Sequence, residues 1–113
     1  MSRHYFDTTH KGFPITVLLG WDRRLNYFFL CIEKASEMID DTMHVKDEDF
    51  LYDNLREIDP FIQDLDYYRQ VLSHFQILVP ESMFIEVQRD FEQNAGNRMV
   101  KHQADGLFAE LGR

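Results

Sequence analysis

Histidine and carboxylate stand together at the start of the chain, where His4 and His10 flank Asp7, a set of donors that could hold zinc or iron. Their spacing matches no established metal motif. His44 stands among Asp40, Asp41, Asp47, Glu48 and Asp49, carboxylates that favour a protonated ring and a pH-sensitive cluster; the simpler alternative is a solvated loop histidine. The Asp47-Glu48-Asp49 run lacks the alternating ligands, central glycine and closing glutamate of an EF-hand loop. The pairs Asp64/Asp66 and Glu86/Asp90 are read as caps and solubilising charges, because acid–base work on a glycoside needs two carboxyls fixed across a cleft. Cys31, between Leu30 and Ile32, reads as a small inert hydrophobe. Neither the phosphate-cradling Gly-x-x-x-x-Gly-Lys-Ser/Thr nor Gly-x-Ser-x-Gly occurs. The expectation is therefore no catalytic residue, no metal site and no cofactor, in a chain that is not an enzyme.

Binding chemistry is better represented. Trp21-Asp22-Arg23-Arg24 sits in a polar turn between two β-rich runs, and Trp and Arg are the residues most enriched at interface hot spots. The competing expectation folds Trp21 back over the sheet beneath an arginine. The net charge of −8 is unevenly distributed: +2 over residues 1–36, −9 over 37–66 and −1 over 67–113. Nucleic-acid affinity comes mainly from Lys and Arg neutralising phosphates, so direct DNA or RNA binding is not expected. An acidic surface beside Phe50, Tyr67 and Tyr68 suits a basic protein partner instead.

These residues need elements to hold them. The 113-residue chain is expected to form one domain, with 44% hydrophobic and 14% aromatic residues, enough for a core without disulfides. A single cysteine and the lack of an apolar leader or spanning run place it, as an expectation, in the cytoplasm and off the membrane. Ile15, Val17 and Leu19 alternate with Thr16 and Leu18, and the run from Tyr27 to Ile32 is apolar on both faces, which predicts a hairpin over 14–33 with a central second strand. His4-Tyr5-Phe6 reads as a short edge strand. Helices are predicted over 49–57, over 64–76 with Asp64 as N-cap, and over 80–95 with Pro80 in its first turn and Gly96 as a left-handed cap. Arg98–His102 reads as a C-terminal strand, and 107–111 as a strand pairing with it or, alternatively, as a terminal helix.

The fold expected is α+β, a small antiparallel sheet packed by two or three helices. The function expected is a non-enzymatic protein–protein interaction module, a small acidic regulator or inhibitor that occludes a basic partner, in its sharpest form by mimicking nucleic acid. Its binding residues would be Trp21, Arg23, Arg24, Asp40, Asp41, Asp47, Glu48 and Asp49. One alternative is a ligand-binding protein or enzyme with a pocket between sheet and helices, using His74, His102 or a carboxylate. Another is a structural subunit or obligate homodimer.

Overall fold

Period-two alternation draws the first third of the chain into three long strands: β1 (Ser2–His10), β2 (Phe13–Asp22) and β3 (Tyr27–Lys34). The computed structural model describes residues 1–34, 50–59 and 62–111. β4 (Phe50–Asp53), a 3-10 turn (Asn54–Arg56), α1 (Leu65–His74), α2 (Glu81–Glu92), β5 (Arg98–His102) and β6 (Phe108–Glu110) follow. The six strands form one sheet in the order β4-β3-β2-β1-β5-β6.

The sheet is mixed, not antiparallel throughout, because β1 pairs in parallel with β5 from the far end of the chain, His4 opposite Val100. His4-Tyr5-Phe6 thus belongs to an interior strand nine residues long, not to a short edge. A second correction concerns 49–57. Its described part is strand and 3-10 turn rather than α-helix, with Tyr52 opposite Ile32 and Asp53 capping the turn by accepting from the Leu55 amide at 3.0 Å. Asp53 and Asn54 favour such caps and turns over helix interiors.

Both α-helices cover one face of the sheet. α1 is capped by Asp64, which accepts from the Tyr67 amide at 2.8 Å, and it buries Leu65, Tyr68 and Leu72. α2 buries Met83, Phe84 and Val87, and these six side chains close on Phe6, Val17, Leu19, Leu30 and Ile32. Pro80 lies one residue before α2, as its N-cap. The left-handed residue after α2 is Asn94, φ 49°, and not Gly96. On the uncovered face Phe29 lies over Gly20, where an added Cβ would come within 2.4 Å of the ring and 2.1 Å of the Ser2 carbonyl oxygen. Among the described residues no helix is long and apolar enough to cross a membrane.

Candidate functional site

Strand parity separates several residues that lie close in sequence. His4 faces the helices while Asp7 lies on the uncovered face, paired with Lys101 and accepting from Thr16 at 2.7 Å; His10 sits against Phe75. The Lys101 hydrogen bond outweighs burial and holds the Asp7 carboxyl below its usual range. The His4, Asp7 and His10 donors are thus not brought together. Cys31 is half-buried opposite Leu18, its thiol pushed up to about 12 by burial and by the charge of Asp53, which leaves it without thiolate reactivity near neutral pH.

The hairpin-tip cluster also divides. Trp21 is only 4% exposed and packs its ring against Phe28 at 5.1 Å and Phe91 at 4.9 Å, so it is a core residue and not a surface anchor. Its inward position follows from parity with Ile15, Val17 and Leu19. Arg23 and Arg24 remain exposed in the turn, which Asp22 holds by accepting from the backbone amides of Arg24 and Leu25 at 2.9 and 3.2 Å. Asp40, Asp41, Asp47, Glu48 and Asp49, with His44 among them, lie outside the described residues.

Between α2 and the β1–β5 pair runs a buried polar chain. Ser82 Oγ lies 3.0 Å from His102 Nδ1, His102 Nε2 lies 2.8 Å from His4 Nδ1, and His4 Nε2 lies 2.6 Å from Asp90 Oδ2. Arg98 closes the chain, donating to Asp90 at 2.8 Å, Glu86 at 3.0 Å and Glu110 at 2.8 Å. His4, His102, Glu86 and Asp90 are all buried, so Glu86 and Asp90 are internal ion-pair partners rather than solubilising charges. Burial alone would raise the Asp90 carboxyl, but hydrogen bonds from His4 and Arg98 win and hold it below its usual range. Burial and the neighbouring His4 lower the His102 ring to about 4.

Two proton inventories give every ring nitrogen of this chain a partner. With both rings neutral, His4 donates to Asp90, His102 donates to His4, and Ser82 donates to His102. With one more proton on His4, that ring donates both ways, and His102 donates to Ser82. A single proton thereby reverses the direction of two hydrogen bonds without breaking any. His74, by contrast, is exposed at the end of α1, in a separate hollow of about 370 Å³ with Tyr52, Glu57 and Tyr67.

The sequence signal for this chain was present in the parity of Ser2, His4 and Phe6, and of Arg98, Val100 and His102. On α2, Glu86 and Asp90 share the inward stripe of Met83 and Val87. Two charged residues on an apolar stripe call for an internal partner, which a strand arginine supplies.

A third place is the described end of the acidic segment. Leu55, Ile58 and Ile62 are 59%, 97% and 75% exposed, interleaved with Glu57, Asp59, Asp64 and Asp66. Glu57 accepts from the hydroxyls of Tyr52 and Tyr67 at 2.9 and 2.8 Å. Ile62 and Asp64 also line a hollow of about 580 Å³ walled by Trp21, Phe28 and Phe91. The described residues thus define an α+β chain with a mixed six-stranded sheet, two α-helices on one face, a buried histidine–carboxylate chain and, over residues 55–66, exposed aliphatics interleaved in sequence with carboxylates. No protein-family model, curated protein or solved structure matches it.

Proposed function

We propose that this protein is a non-enzymatic interaction module that occludes a basic surface of a protein partner, through the acidic edge containing Glu57, Asp59, Asp64 and Asp66. The observation that carries the reading is the exposure of Leu55, Ile58 and Ile62 among those carboxylates. Aliphatic side chains held in water cost free energy that a partner's apolar pocket recovers, at about 25 cal/mol per Å² removed from solvent. The surrounding charge chooses the partner: the −9 carried by residues 37–66 speeds encounter with a cationic surface and rejects an anionic one. Asp40, Asp41, Asp47, Glu48 and Asp49 extend the same negative run in sequence. A partner that itself binds nucleic acid is the sharpest form of this reading, with carboxylates standing in for phosphates.

The test is capture of partners from a lysate of the source organism by the wild type, by an E57Q/D59N/D64N/D66N variant, and by an I58S/I62S variant. Asn at 64 keeps the helix cap. One protein should be retained by the wild type, lost from both variants, and released progressively as salt rises from about 0.05 to 0.5 M. Added nucleic acid should displace it in the mimic form. Equal retention by all three chains, or binding indifferent to salt, refutes the reading.

A further inference from the structure

We propose that the cleft between the β2–β3 turn and the α2–β5 connection binds a small molecule bearing a phosphate group, held by Arg3, Arg23 and Arg24. The three arginines line one hollow of about 350 Å³, together with Met1, Asp22, Gly96 and Asn97. None of their guanidinium groups has a carboxylate or hydrogen-bond partner among the described residues. The other arginines with described side chains are all paired: Arg69 with Glu81, Arg89 with Glu86, and Arg98 with three carboxylates. In a chain of net charge −8, three guanidiniums lining one hollow with no partner among the described residues are a local reversal of sign.

Asp22 offsets one of the three charges and leaves the hollow net positive. It is 7% exposed, and its Oδ1 accepts from the Arg24 and Leu25 backbone amides, which shapes the turn from which Arg23 and Arg24 project. Arg23 lies across Gly96, its guanidinium 3.3 Å from where a Cβ on that residue would stand. Charges elsewhere on the protein oppose an incoming anion only weakly beyond a Debye length, about 8 Å at physiological salt.

The ligand class follows from the donors. A guanidinium presents a planar fork that matches phosphate oxygens in pairs, and a phosphate monoester brings close to two negative charges and three acceptor oxygens to three such forks. A carboxylate brings half the charge. The hollow admits a phosphate or diphosphate group, and the site uses none of the acidic-edge residues, so it stands or falls apart from the proposed protein-binding role.

Inorganic pyrophosphate is the probe, titrated at constant ionic strength into the full chain and followed by calorimetry and by ¹H–¹⁵N spectra. Saturable binding in the range of about 0.01 to 1 mM is expected, with shifts concentrated at Arg3, Arg23, Arg24, Gly96 and Asn97. R3Q, R23Q and R24Q should each weaken it about tenfold, the loss of one charge-assisted contact, while R69Q leaves it unchanged. Spectra of the variants away from the cleft report that the fold is retained. The proposal is overturned by no saturation up to about 10 mM, by binding that survives R23Q and R24Q, or by succinate binding as tightly as pyrophosphate.

Discussion

At the scale of single residues, the chain Ser82–His102–His4–Asp90–Arg98 links protonation to stability. The His102 ring falls from 6.5 to about 4 in the folded protein, so the unfolded chain takes up a proton over a range in which the folded chain refuses it. Its contribution is fully present above pH 6.5 and is lost as pH falls to 4, amounting to at most about 3 kcal/mol. The lowered Asp90 carboxyl adds a loss at still lower pH, below its ordinary 3.8. Urea unfolding at pH 7 and pH 4.5 should therefore show a larger drop for the wild type than for H102Q; equal drops would remove His102 from the linkage. Asp90 carries a second expectation. D90N keeps an acceptor for His4 but removes one of the three carboxylates around the partly buried Arg98, and a loss of about 2 kcal/mol, that of one charge-assisted hydrogen bond, is expected at pH 7, against near-neutrality if the ion pair is immaterial.

At the scale of elements, one position tests how tightly the strands are fitted. G20A places a Cβ 2.1 Å from the Ser2 carbonyl oxygen and 2.4 Å from the Phe29 ring, so β1 or Phe29 must move, at a cost of about 1–3 kcal/mol in denaturant unfolding. A neutral G20A would mean that the uncovered face repacks freely. Elements governed by local chemistry were legible in the sequence. The hairpin followed from alternation about a turn, α1 from the Asp64 cap and the Leu65–Tyr68–Leu72 stripe, and β5 and β6 from short apolar runs about Gly106, whose φ is 91°. What was not legible depended on partners distant in sequence. β1 is interior because β5, more than ninety residues later, pairs with it, and nothing local to His4-Tyr5-Phe6 announces that. Phe50 to Asp53 is a strand because β3 offers an open edge, which overrides a helix-like spacing of Phe50, Leu51 and Leu55. The buried histidine chain was hidden for the same reason, since its members come from β1, α2 and β5. Of the arginine cleft, the turn pair was recognised, while Arg3 joins it only through the Arg3–Gly20 register.

For the whole molecule, sheet order sets a hierarchy of opening. β2 and the Ser2–Tyr5 half of β1 lie in the interior of the sheet, and both strands pack against α2, so the amides there can exchange only when the sheet itself comes apart. β6 lies at one edge, three residues long and exposed throughout, and it can detach while the rest stands. Detachment removes Glu110 from Arg98 but leaves Glu86 and Asp90 in place, so the arginine's charge stays compensated and the opening is inexpensive. Separating β5 from β1 is different in kind. It parts His102 from His4, exposing two buried rings at once, and so the parallel pair that closes the sheet should open only with global unfolding. Native-state hydrogen exchange distinguishes these tiers. Protection at Leu19, His4 and Val100 should match the free energy from urea unfolding, with Ala109 and Glu110 exchanging several kcal/mol sooner. If β5 instead exchanged with β6, well below the global value, the β1–β5 pairing would be a late addition to a β1–β4 core, and the histidine chain would open independently of the fold.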